Sequence, residues 1–198
     1  MDVDLLSLLD ELRAMAQTGL AYTDDPYDRE RYNRLLELVE MYYGETLNLP
    51  ESEVRTRLAA ELGYVTPKVG ASAAIFDSDG RQLLMKRPDS GTWCFPGGYV
   101  DVTESPAEAA VREAKEETGL DVEIADLIDH YYTPPDGLYG PHGAVAVVYL
   151  CDVVGGELRL SHEGEALQFW SIGDVPAWFR DHGEVAIDAR TAWNEHTA

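Results

Sequence analysis

The sequence predicts an α/β fold: a mixed sheet with helices packed on it, preceded by a small helical region over residues 1–64. Three observations predict it. Apolar residues recur at helical spacing through the first sixty positions, then give way to short apolar runs bounded by turn residues. Those runs surround one strongly punctuated helix, SPAEAAVREAKEETG, and a further helix is expected over 184–196. Many strands around one or two helices need both kinds of layer to bury their apolar faces.

The first helix is carried by Leu5, Leu8, Leu9, Leu12, Met15 and Ala16. The second opens at Asp25-Pro26, with Asp as N-cap and Pro at the first helical position. Its apolar stripe is Tyr32, Leu35, Leu36, Val39 and Tyr43. A third, with Val54, Leu58 and Leu62, stops at Gly63. Short helices bury little surface alone, so they need the rest of the chain or a second copy.

From residue 65 to 198 a second domain is expected. KVGASAAIFD and RQLLMKR read as strands around a DSDG turn, and GGYVDVTE reads as a loop. Ser105 is a good N-cap, Pro106 fits the first helical position, Glu108 completes a capping box, and Gly119 fits the left-handed C-terminal position. Ala107, Val111, Ala114 and Thr118 share a small-residue face suited to close approach to a sheet. DVEIADLIDHYYT follows, then a loop over 134–143, the strand AVAVVYLCDVV, a short strand ELRL, and LQFWSI.

Acidic residues number 37 against 15 basic ones, for a net charge of -22. Such a surface repels nucleic acid and anionic membranes, and suits a protein of concentrated salt. It also repels phosphorylated substrates, so phosphate chemistry here must bring its own cations. No apolar run approaches the ~20 residues that span a bilayer, and the start is acidic where a signal peptide is basic. A soluble cytoplasmic protein is expected. Cys94 and Cys151 read as two small buried hydrophobes.

Glu113, Glu116 and Glu117 fall at i, i+3 and i+4, on one face of the central helix. Converging carboxylates raise one another's pKa unless a cation joins them. A hard dication resolves the conflict: Mg²⁺ takes oxygen ligands and keeps substrate phosphates in its shell, with Mn²⁺ as a substitute. Taken alone, such a run is more often a solvated face. The wider spacing changes the odds: Gly98, five residues, Glu104, seven residues, Arg112-Glu113-Ala114, one residue, Glu116-Glu117, one residue, Gly119-Leu120. A chance match has a probability on the order of 10⁻⁵.

This spacing resembles the Nudix box, and WCFPGG resembles its lead-in. The resemblance implies an α/β/α sandwich and hydrolysis of a nucleoside diphosphate linked to another group, NDP-X, to NMP and X-phosphate. It implies Glu113, Glu116, Glu117 and the Gly97 carbonyl as metal ligands. Arg112 would orient the carboxylates, with Glu104 supporting it. The general base is either Glu113 or a later glutamate, Glu163 or Glu165.

Other features are less specific. Arg87 either reaches a substrate phosphate or is an ordinary strand end. Tyr131, Tyr132, Tyr139 and Trp170 either stack on a substrate ring or belong to the core. The five histidines show no metal spacing and are read as structural or exposed. AQTGLAYTDDPYDRERY and AAELGYVTPKVG resemble the helical extension of the Nudix subgroup that hydrolyses X-linked nucleoside diphosphates, CDP-choline pyrophosphatase among them. That resemblance implies a homodimer through the N-terminal helices, and CDP-alcohols, ADP-ribose and nucleotide sugars as substrates, in that order. Two alternatives remain open: a ligand-sensing regulator of transcription, and a nucleoside triphosphate pyrophosphohydrolase.

Overall fold

The computed structural model describes residues 5–47, 50, 52–54, 56, 66–101, 103–135 and 143–198. Leu58, Leu62 and Gly63 of the expected third helix lie outside the described residues, as do Tyr139 and His142. The chain divides into two compact units, residues 1–68 with 132–144, and residues 69–131 with 145–198.

In the first unit, α1 (Leu5–Tyr22) and α2 (Pro26–Leu47) pack as a pair. Asp25 caps α2 as expected, its Oδ1 accepting from Tyr27 N–H at 2.8 Å and Asp28 N–H at 3.0 Å. Leu9, Val39, Tyr43 and Val54 form the core, with Leu6, Leu12 and Leu47 against it. The helices cross closely at Gly19, where a Cβ would meet the Tyr32 ring at 2.3 Å.

The second unit carries β1 (Lys68–Ile75), β2 (Gln82–Lys86), β3 (Trp93–Cys94), β4 (Gly97–Tyr99), α3 (Pro106–Thr118), β5 (Leu120–Thr133), β6 (Ala144–Gly156), β7 (Ala166–Trp170) and α4 (His182–His196). Strand order is β4-β1-β6-β5 in one sheet and β3-β2-β7 in the other. The layering follows from the two-residue period of a strand. Ala71, Ala73 and Ile75 of β1 point to one side and share clusters with Ala109, Ala110 and Ala114 of α3. Ala74 points to the other side, into a cluster with Val148 and with Val185, Ala186 and Ala189 of α4. Helices therefore cover both faces, as the α/β expectation requires.

Three local expectations change. GGYVDVTE is not all loop: Gly97–Tyr99 forms β4, antiparallel to β1, with Gly97 opposite Ser72. ELRL is not a strand. Its main chain and that of the next residue instead close the end of α3, with Arg159 N–H donating to Thr118 O at 2.7 Å and Ser161 N–H donating to Glu117 O at 3.3 Å. These are carbonyls the helix itself leaves unpaired. Finally, the buried stripe of α3 is Ala109, Ala110, Ala114, Glu117 and Thr118, while Ala107 and Val111 are only half-buried. Among the described residues, no helix is long and apolar enough to cross a membrane.

Candidate active site

The site is built on α3, and its ends are fixed as the sequence predicts. The Ser105 side chain accepts from Glu108 N–H at 3.3 Å, while Glu108 Oε2 accepts from Ser105 N–H at 2.8 Å. Gly119 closes the helix at φ 76°, a left-handed conformation costly for any residue with a Cβ. Two stops with thirteen helical residues between them set the rotation of the glutamates.

Those glutamates differ sharply in exposure. The Glu116 side chain is 56% exposed and Glu113 12%, whereas Glu117 as a residue is only 3% exposed. By its spacing alone Glu117 shares a helix face with Glu113 and Glu116. It lies on the buried stripe, where its Oε2 accepts from Gly97 N–H at 2.8 Å. Burial pushes its carboxyl up to about 8; the Gly97 hydrogen bond opposes this, and the charges of Glu113 and Glu163 add to it. Burial also raises Glu113, against the opposing pull of Arg112, with Glu116 and Glu163 adding repulsion.

Arg112 is the hub. Its Nη2 donates to Glu104 Oε1 at 2.7 Å and to the Tyr99 carbonyl at 3.1 Å, and its Nε donates to Glu104 Oε2 at 3.1 Å. Its Nη1 donates to Glu113 at 2.8 Å and to Glu116 at 3.0 Å. The two-point contact with Glu104 fixes the guanidinium plane. Glu104 is held below the usual carboxylate range by Arg112 foremost and by the Asp101 N–H, which donates at 2.9 Å.

A Cβ at either glycine of the lead-in would run into a neighbour. A Cβ on Gly98 would meet Glu113 Oε1 at 2.3 Å, and one on Gly97 would meet the Ala71 carbonyl at 2.4 Å. The β4 backbone therefore passes directly against Glu113, while Gly97 is tied to Glu117.

The remaining candidates divide. Glu165 is taken by Lys86 Nζ at 2.8 Å, whereas Glu163 acts electrostatically on both Glu113 and Glu117. Arg87 lies 4.4 Å over the Phe179 ring and pairs with Asp89 at 2.5 Å. Tyr131 packs in the α4 core, its hydroxyl donating to Asp188 at 2.9 Å. Trp170 meets Trp93 edge-on at 5.2 Å, and Tyr132 is exposed. Cys94 and Cys151 are free and buried, and burial pushes both thiols up to about 12. Main-chain partners such as the Tyr99 carbonyl leave no trace in a sequence. His182, read there as merely structural or exposed, also meets the lead-in: Phe95 N–H donates to its Nδ1 at 3.2 Å.

With Glu113 and Glu116 turned onto Arg112, no three acidic, histidine or cysteine side chains among the described residues stand ready to hold one ion. The donor set nevertheless fits a hard dication. It is all oxygen, and it includes a buried carboxyl whose ionisation burial and like charge oppose, a conflict that a cation would relieve.

Comparison with known proteins identifies the family. The NUDIX domain matches residues 66–188, and the UDP-X-like, N-terminal oligomerisation domain matches residues 3–55. A Bacillus subtilis (strain 168) protein provisionally named ADP-ribose pyrophosphatase is 36% identical over 173 residues, covering 83% of this chain and 79% of that protein. The ADP-ribose pyrophosphatase of Methanocaldococcus jannaschii is 34% identical over 129 residues, covering 63% of this chain and 74% of that one. A solved UDP-X diphosphatase is similar over 98% of this chain and 95% of its own, with a TM-score of 0.60 and 28% identity. Enzymes of this kind generally use divalent metal ions. With the box on α3, its supporting arginine and a domain match over most of the chain, this protein belongs to the Nudix family of hydrolases acting on pyrophosphate bonds.

Proposed function

We propose that the chain is a Mg²⁺-dependent pyrophosphohydrolase of nucleoside diphosphates linked to a second group. Glu117 carries the reading: a buried carboxyl tied to Gly97 N–H, raised by burial and by two neighbouring acids. Glu113, Glu116, Glu117 and the Gly97 carbonyl would hold the ions. Bound Mg²⁺ would neutralise pyrophosphate charge and supply an activated water. Arg112 orients Glu113 and Glu116, and Glu104 fixes Arg112. Glu163 is the residue we assign as general base, because Glu165 is occupied by Lys86. The reaction adds one water across the P–O–P bond and releases NMP and X-phosphate.

The substrate class rests on the resemblance that spans both parts of the chain. UDP-X diphosphatase is matched from end to end, and the B. subtilis relative over most of its length. These names favour ADP-ribose and UDP-linked compounds over CDP-choline. Residues 1–64 act as the oligomerisation domain of a homodimer and 65–198 as the catalytic domain, a division supported by the two domain matches. The test is a panel of ADP-ribose, UDP-sugars, CDP-choline and nucleoside triphosphates with Mg²⁺ or Mn²⁺, with product identification. NMP plus X-phosphate is the expected outcome. Exclusive turnover of triphosphates would overturn the substrate class.

A further inference from the structure

Phe95 is 2% exposed and stands between two strands, after β3 ends at Cys94 and before β4 begins at Gly97. Its neighbours find partners in sheet or loop: Cys94 pairs with Met85, Pro96 O accepts from Ala73 N–H at 2.9 Å, and Gly97 pairs with Ser72. The Phe95 N–H donates instead to a side chain, His182 Nδ1, at 3.2 Å. A buried N–H left without an acceptor is strongly disfavoured. His182 is the first residue of α4, far along the chain, and its ring lies between Phe95 (centroids 5.3 Å apart, tilted 54°) and Phe179 (5.4 Å, near-perpendicular at 75°).

The same segment grips the lead-in on its other side. Trp93 N–H donates to Ala177 O and Phe179 N–H donates to Trp93 O, both at 2.9 Å. Phe179 in turn carries the Arg87 guanidinium on its ring, 4.4 Å from the centroid. One short stretch, 177–182, thus holds the peptide leading into Gly97 and the floor beneath Arg87. Burial holds His182 neutral, pushing it down to about 4, with Asp181 opposing and Arg87 and Arg180 adding to the shift. Accepting at Nδ1 leaves its proton on Nε2.

We infer that His182 is a positioning residue for the reaction: by accepting the Phe95 N–H it sets the path of Phe95-Pro96 and hence the direction of the Gly97 carbonyl. The inference rests on the metal-site reading above. An aromatic side chain at 182 keeps the packing but lacks the acceptor, whereas asparagine offers an oxygen close to the place of Nδ1. Partners that aim a ligand in this way are commonly worth about 10–100-fold in metal affinity or activity.

The test compares the wild-type chain with His182→Phe and His182→Asn. The readouts are Mn²⁺ affinity by electron paramagnetic resonance, kcat and KM, and hydrogen exchange of the Phe95 amide. His182→Phe is expected to weaken Mn²⁺ binding about tenfold and to lower kcat more than it alters KM. His182→Asn is expected to restore both to within about threefold. The wild-type Phe95 amide should be strongly protected, a readout that stands even if one variant fails to fold. A fast-exchanging wild-type amide, or Mn²⁺ binding in His182→Phe equal to wild type, overturns the role of His182 alone. Wild-type protein that binds no Mn²⁺ removes the metal site and this role together.

Discussion

Glu117 Oε2 accepts the Gly97 main-chain N–H at 2.8 Å, so the last glutamate of the box is fastened to the peptide whose carbonyl is its expected co-ligand. Burial, working against that bond, makes Glu117 the most perturbed carboxyl of the site. Its folded pKa of about 8 lies above the ordinary 4.5. The metal-free folded state therefore holds more protons than the unfolded state between those values, and stability falls as pH rises through that window. Urea unfolding in EDTA at pH 5, 6.5 and 8 is expected to show the decline. Glu117→Gln should flatten it while lowering turnover by on the order of 100-fold. An unchanged pH slope in the variant would reject the assignment.

The adjacent glycines separate folding from chemistry. In Gly97→Ala the new methyl meets main-chain atoms of β1, which cannot move without breaking the β1–β4 pairing. Loss of soluble, folded protein is expected. In Gly98→Ala it meets the tip of the Glu113 side chain, which can swing away. That variant should keep its melting temperature within a few degrees and lose at least tenfold in kcat. Thermal melts beside initial rates distinguish the two.

How much of this was legible beforehand follows from the range of each interaction. The capping box and the Gly119 stop were readable because their partners lie within a few residues. The strands β3 and β4 were not: two- and three-residue strands show no periodicity, and their partners Met85 and Gly70–Ser72 come from elsewhere in the chain. ELRL has the alternation of a strand, yet its Leu158 and Leu160 are exposed at 46% and 38%, and its Arg159 N–H serves the end of α3. The box identified Glu113, Glu116 and Glu117 together. Which of them is buried depends on how α3 is seated on β1, and that is a tertiary fact.

Arg112 and Glu104 should behave as one unit. Glu104→Gln removes the charge that holds the guanidinium plane, and Arg112→Lys removes the forked geometry while keeping the charge. Each is expected to lower kcat/KM by about 10–100-fold. The double variant should be little worse than the more damaging single one, because both changes release the same two carboxylates. A double-mutant cycle measures this, and simple additivity would separate the two residues.

The N-terminal unit shows an exposed stripe on α1 at seven-residue spacing: Leu8, Met15 and Tyr22, at 40%, 55% and 70%. On a helix this repeat stays on one side. Wild-type protein should sediment at twice the 22.0 kDa chain mass. Leu8→Glu combined with Met15→Glu should sediment as a monomer. A wild-type monomer at micromolar concentration would contradict the homodimer.

Two glutamates of one loop give the sharpest test of the chemistry. Glu165 is exposed and ion-paired with Lys86 at 2.8 Å, whereas the charge of Glu163 reaches both Glu113 and Glu117. Of the two, Glu163 is the one whose charge raises both carboxyls that would hold the metal. Glu163→Gln should lower kcat by about 100-fold with KM little changed, since a base acts in the transition state and hardly on ground-state binding. Glu165→Gln loses a surface ion pair worth about 1 kcal/mol or less and should stay within threefold of wild type. Steady-state kinetics on the best substrate of the panel decide the matter. Full activity in Glu163→Gln would return the role of base to Glu113, and the rate would then follow the titration of Glu113 in the metal-loaded enzyme.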